Sequence, residues 1–236
     1  MTLPRQLALA LPHAESFARE DFLQGSSNAA ALRLIEQWPD WPDRVLALVG
    51  PEGAGKSHLA AIWAEIAGAR RISARALGGT DLLAELATAA LVVEDAGEAF
   101  DERALFHLIN LVRQEEAYLL ITARAAPATW GAALADLSSR LRAIPVVALD
   151  PPDDALLRAV MVKLFADRQL AVDESLIGYL VARIERSFAG ARAAVHDLDR
   201  EALRQQRPVT RALAAEVIGT RAAAGPDMGL PLFLPR

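Results

Sequence analysis

Gly50-Pro51-Glu52-Gly53-Ala54-Gly55-Lys56-Ser57 is the stretch whose reading decides the fold. It follows the apolar run Val45-Leu46-Ala47-Leu48-Val49 and opens a helix-like segment, His58-Leu59-Ala60-Ala61-Ile62-Trp63-Ala64. Strand, glycine-rich turn and helix are the context in which G-x-x-x-x-G-K-[ST] is a phosphate-binding loop. Its glycines let successive backbone N–H groups point inward at phosphate oxygens. The positive end of a helix begins at the same place and favours negative charge. In this pattern Lys56 reaches the β- and γ-phosphates and Ser57 holds Mg²⁺ through its hydroxyl. The loop from Gly50 to Ser57, with His58 just beyond it, is the candidate site for nucleotide phosphates.

A chain of 236 residues has room for one large domain, or one and a half, with ample length for a buried core. Helix-favouring Ala, Leu and Arg recur throughout, so an α/β fold with extra helices is expected. The formal net charge is −5 and no run of Lys or Arg exceeds two residues, which argues against a dominant DNA-binding surface. There is no cysteine, so disulfide and thiolate chemistry are excluded. No apolar stretch reaches membrane-spanning length, and Met-Thr-Leu-Pro-Arg-Gln lacks a signal-peptide core. A cytoplasmic protein without a membrane partner is the expectation.

Outward from the loop, Ala90-Leu91-Val92-Val93-Glu94-Asp95 reads as a buried strand ending in two acids. Acids at the carboxyl end of such a strand sit at the sheet edge where ligands bind. Glu94 is expected on Mg²⁺ and Asp95 on the attacking water; the plain alternative is a solvated loop. Tyr118-Leu119-Leu120-Ile121-Thr122 is a further buried strand, after which Thr122 or Arg124 could sense the γ-phosphate. Upstream, Phe22 and Leu23 either cover the adenine or pack in the core. A helix is expected around Leu134–Arg142 and a strand over Pro145–Leu149. After Asp150-Pro151-Pro152-Asp153 the strand-like runs stop, and helical patterns cover Asp154–Arg168, Glu174–Arg186, Gly190–Arg204 and Thr210–Thr220. The expected organisation is a tail at 1–15, an α/β base at 16–150, a small all-α lid at 151–220 and a second tail at 221–236. In the first tail, Gln6-Leu7-Ala8-Leu9-Ala10-Leu11 places leucines at every second position between Pro4 and Pro12. That alternation suits an extended docking peptide, or an arm packed on its own domain. The apolar end, Leu230-Pro231-Leu232-Phe233-Leu234, is either a tail or a second docking peptide.

Together these features resemble the AAA+ ATPases. Within them the chain is most similar to the DnaA-related proteins, closest to the short regulatory inactivators of the Hda type. Phe22–Asn28 is similar to the nucleotide-covering segment of that family. Leu137-Ser138-Ser139-Arg140-Leu141 looks like its Ser-Arg-hydrophobic motif, and Arg186-Ser187-Phe188-Ala189-Gly190-Ala191 like its sensor-2 motif. The resemblance implies an AAA+ base of parallel sheet and helices with a small all-α lid. It implies ADP or ATP with Mg²⁺ held by Ser57 and Glu94, and Arg186 on the chain's own nucleotide. Arg140 becomes an arginine finger acting in trans on ATP held by DnaA. Gln6, Leu7, Leu9 and Leu11 become a docking peptide for the DNA polymerase III sliding clamp. The family's helix-turn-helix domain has no counterpart here, so sequence-specific DNA binding is not expected. Homo-oligomers remain open, as do two alternatives: an autonomous ATPase working as a helicase loader or remodeller, and a scaffold that does not use its nucleotide.

Overall fold

The computed structural model describes residues 17–224. Gln6, Leu7, Leu9 and Leu11, and the apolar stretch at 230–234, lie outside the described residues. The chain divides into two compact units, one of 17–157 with Arg186–Ala189, the other of 158–185 with 190–224.

The first unit is built on a five-stranded parallel sheet. Its strands are β1 (Val45–Val49), β2 (Arg70–Ser73), β3 (Ala90–Ala96), β4 (Tyr118–Ala123) and β5 (Val146–Ala148), in the order β2-β3-β4-β1-β5. The inner strands are the continuous apolar runs expected of a sheet covered on both faces. Leu46 and Leu48 of β1 face one side with Val92 and Leu120. That side is packed by α1 (Ala29–Glu36) and α2 (Lys56–Ala67) through Leu32, Ile35, Leu59, Ile62 and Trp63. Val45, Ala47 and Val49 face the other side with Val93 and Ile121. There α4 (Glu102–Gln114) and α5 (Ala135–Ala143) close the core with Leu105, Leu108, Leu137 and Leu141. A four-residue helix, α3 (Leu82–Glu85), lies between β2 and β3. β1 runs between β4 and β5, one strand in from the margin of the sheet, and the Gly50–Ser57 loop starts at its carboxyl end.

The second unit is all-helical. It contains most of α6 (Asp154–Asp167), all of α7 (Glu174–Val181), most of α8 (Phe188–Gln205) and α9 (Arg211–Ala224). Asp173 caps α7 by accepting from the Leu176 N–H at 2.8 Å. The guanidinium groups of Arg183 and Arg211 lie 4.0 and 5.0 Å from the centroid of the Tyr179 ring. The helix expected over Glu174–Arg186 stops at Val181: Arg183 and Ile184 both bond back to the Leu180 carbonyl, closing the last turn. Among the described residues no helix is long and apolar enough to cross a membrane.

Candidate functional site

The loop leaves β1 and turns into α2 through Gly53 at φ 72° and Gly55 at φ 99°, conformations that favour glycine. A Cβ on Gly53 would stand 2.8 Å from the Ser187 Cβ, so the loop is also closed in by a neighbour. Phe188 N–H donates to the Gly53 carbonyl at 2.9 Å, which ties Arg186–Ala189 to the loop. Gly55 is the N-cap of α2 and no side chain caps the first turn. Uncapped N–H groups at a helix start are suited to an anion. Lys56 is 8% exposed, and its Nζ donates to the Gly50 and Pro51 carbonyls at 2.8 Å each. Burial lowers its pKa; Asp95 opposes that shift, Arg124 adds to it, and Glu52 opposes it more weakly. Ser57 is exposed at the head of α2. A buried lysine, uncapped helix donors and a free-standing hydroxyl fit the phosphates of a nucleotide and the Mg²⁺ that accompanies them.

The two acids meet this loop through an irregularity in β3. In register with β4, Val93 faces Ile121 and Ala96 faces Ala123, so Glu94 and Asp95 together oppose Thr122. Two residues against one is a β-bulge, and Asp95 occupies it at φ 56°. Regular alternation would send Asp95 to the face opposite Glu94. Instead Val93 and Ala96 both enter the α4–α5 core, leaving the two acids between them for the other side. The buried Thr122 hydroxyl pins the bulge by accepting from the Asp95 N–H at 3.1 Å. The acids then differ in their ties. Glu94 is half-buried, and both its oxygens accept from Nη2 of Arg71 at 3.0 and 3.1 Å. Asp95 is exposed, and it is the carboxylate that acts most strongly on Lys56. Arg71 thus holds Glu94, the acid expected on Mg²⁺, while Asp95, the acid expected on the attacking water, is the one that acts on Lys56.

Around the mouth, Arg124 pairs with Glu52 at 2.6 Å and Glu98 at 3.2 Å. Thr122, the other candidate phosphate sensor, is committed to Asp95. Arg186 pairs with Asp154. Phe22 is 6% exposed and belongs to the core on the α2 side, while Leu23 is half-buried and its carbonyl accepts from Asn28 at 3.0 Å. The His58 ring stands edge-on to Phe17 and Phe22, and its Nε2 is 3.0 Å from the Ala18 carbonyl, while its backbone N–H belongs to the first turn of α2. Pro51 and Glu52 are exposed on the loop and Ala54 is buried beneath it.

Arg140 belongs to another part of the same unit. It lies on α5, with its guanidinium 5.1 Å from the centre of the Phe106 ring on α4. Its charge does not figure among the groups that shift Lys56. Residue types alone gave no signal for Arg71, Glu98 or Phe106.

Domain III of the replication initiation protein DnaA from Thermotoga maritima superposes with a TM-score of 0.72, at 18% identity over 86% of this chain and 96% of that domain. The fold is the AAA+ fold. The RuvB Holliday junction branch migration motor of the same organism shares it at a TM-score of 0.68, with 14% identity over 87% of this chain and 72% of that one. So does AMPPCP-bound DnaA from Aquifex aeolicus, at 0.60 and 17% identity over 79% and 68%. No protein-family model matches the chain. At such identities the likeness is one of fold, and within that AAA+ fold the Gly50–Ser57 loop, Glu94–Asp95 and Arg186–Phe188 share one neighbourhood.

Proposed function

We propose that the chain is a nucleotide-bound regulator that switches off the replication initiator DnaA. It binds ADP or ATP with Mg²⁺ at the Gly50–Ser57 loop and docks on the DNA polymerase III sliding clamp through Gln6, Leu7, Leu9 and Leu11. It presents Arg140 to the ATP of a neighbouring DnaA subunit. A guanidinium delivered in trans to a γ-phosphoryl group is worth ~10³–10⁵ in rate, and lysine lacks the planar fork that matches the oxygens. The observation that carries the reading is the separation of labour among the arginines. Arg124 and Arg186 are engaged around the loop, whereas Arg140 sits on the α4–α5 face. AMPPCP in the DnaA neighbours supports an adenine nucleotide. Among the described residues no group of three or more His, Cys, Asp or Glu side chains could hold a metal, so Mg²⁺ would arrive with the phosphates. Ser57 and Asp95 would complete its shell, with Glu94 held by Arg71. Arg124, being exposed, is the residue free to exchange its acids for a terminal phosphate.

The test is ATP hydrolysis on ATP-loaded DnaA, with and without this protein and clamp loaded on DNA. Clamp-dependent stimulation that is lost in Gln6→Ala and in Arg140→Ala, with nucleotide binding intact in both, supports the reading. Turnover by the protein alone, abolished in Asp95→Asn and indifferent to Arg140, would replace it with the autonomous ATPase. The proximity of Asp95 to the loop is what keeps that second reading in play.

A further inference from the structure

We propose that Phe106 is a positioning residue for Arg140, and that Glu102 fixes the helix on which Arg140 rides. The inference rests on the role given to Arg140 above and deepens it.

Residues 102 and 106 are one turn apart on the same face of α4. At the first, the Glu102 carboxylate accepts from the Ala133 N–H at 2.9 Å and the Leu134 N–H at 3.0 Å. Leu134 is the N-cap of α5, so the carboxylate holds the two N–H groups that lead into the helix and anchors its start to α4. Those two backbone bonds hold the Glu102 carboxyl below its ordinary pKa. At the second, the half-buried Phe106 ring lies under the Arg140 guanidinium. Leu137 and Leu141 are buried in the core, and they turn Arg140 to the flank of α5. Among the described residues, no ion pair or hydrogen bond is recorded for the Arg140 side chain, so the ring face is its one orienting contact.

This arrangement suits a guanidinium that must act on a partner's phosphate. An unrestrained arginine samples many rotamers, and a misplacement near 1 Å can cost roughly 10²-fold in a positioned reaction. A carboxylate partner would fix it but would occupy its donors. A ring attracts the cation through its face and leaves the N–H edges open.

The experiment uses the full chain in the clamp-dependent DnaA assay, recording the maximal stimulated rate and the half-saturating protein concentration. Phe106→Leu is expected to lower the maximal rate about two- to fivefold, the factor a surface cation–π contact supplies, with half-saturation unchanged. Phe106→Trp is expected to retain the native rate, because tryptophan offers the stronger face. Glu102→Gln is expected to act in the same direction as Phe106→Leu. A residue that merely packs would give the reverse order, with Leu tolerated and Trp disruptive; that order would overturn the proposal. So would a rise in half-saturation alone. A second measurement needs no partner: the Arg140 Nε–H proton should be shifted upfield by the ring in the NMR spectrum of the native protein, and should lose that shift in Phe106→Leu. Absence of the shift in the native protein overturns the contact. If Arg140→Ala keeps full stimulation, the role of Arg140 fails while the spectrum still decides the contact. If Arg140→Ala abolishes stimulation and Phe106→Leu leaves it unchanged, only the present proposal falls.

Discussion

Replacing Thr122 by Val keeps the shape of the side chain and removes one hydroxyl, and the bulge in β3 should register the loss. Thr122 is 1% exposed, and its Oγ1 takes the Asp95 N–H at 3.1 Å. Asp95 holds a φ of 56°, a region in which a non-glycine residue is strained by about 1–3 kcal/mol. The hydroxyl is therefore part of what makes the bulge the preferred state. Without it a part-buried donor loses its partner, at up to about 1–3 kcal/mol, unless β3 relaxes to regular pairing. Relaxation would turn Asp95 to the other face of the sheet, away from Lys56. Thr122→Val should lower stability by about 1–3 kcal/mol in urea, or about 2–4 °C in Tm for each kcal/mol in a chain of this size. It should also blunt the Mg²⁺ dependence of nucleotide affinity, measured by titration calorimetry with and without the ion. Thr122→Ser, which keeps the acceptor, should retain most of both. A Val variant within about 0.5 kcal/mol of native, with native Mg²⁺ dependence, would refute the reasoning.

Three further predictions concern the same loop. Gly53→Ala combines a φ of 72° with a Cβ only 2.8 Å from Ser187; it should cost about 2–4 kcal/mol in urea denaturation, while Gly79→Ala, with nothing within 4 Å, should not destabilise. Asp95→Asn should weaken Mg²⁺-dependent nucleotide binding more than Glu94→Gln, since Asn tolerates the positive φ and only the charge is lost; calorimetry showing the reverse would return the metal to Glu94. The lowered pKa of Lys56 sets two opposite pH trends. Phosphate binds the ammonium, so nucleotide affinity should fall as pH rises through the lowered value. In the window between that value and the ordinary 10.5, the unfolded chain holds more protons, so stability of the nucleotide-free protein should rise with pH. Calorimetry and thermal denaturation across that window check both, and affinity that is flat up to 10.5 would sink the argument.

How much of this was legible in the sequence follows from the range of the forces involved. The loop between β1 and α2 is local: apolar run, glycines and helix start are contiguous, so Val45–Ala67 reads directly. The central strands announce themselves as apolar runs because both their faces are covered. The glycine loop is recognisable as a short motif. Apolar spacing, by contrast, continued to Ile184 and hid the end of α7 at Val181, where backbone bonds to Leu180 close the helix. The bulge at Asp95 depends on Thr122, 27 positions away, and the tie of Glu94 on Arg71, 23 positions away. Such contacts leave no trace in local periodicity. The contact of the His58 ring with Phe17 and Phe22 is likewise invisible locally, Phe17 and Phe22 lying far from it along the chain.

On the function proposed here, the charges around the loop and the charge on α5 serve different events. Arg124 is held by Glu52 and Glu98, Arg186 by Asp154, and Glu94 by Arg71, all at least partly exposed. Exposed pairs of this kind are worth about 0–1 kcal/mol each, so phosphates and Mg²⁺ can displace one partner at little cost. A site balanced in this way is suited to taking up nucleotide with a modest local rearrangement. Arg140 has no such pair to break among the described residues. An arginine bound to a carboxylate would have to release it at every encounter with a partner's ATP. One resting on a ring keeps its N–H donors presented throughout, and the ring limits how far it can stray.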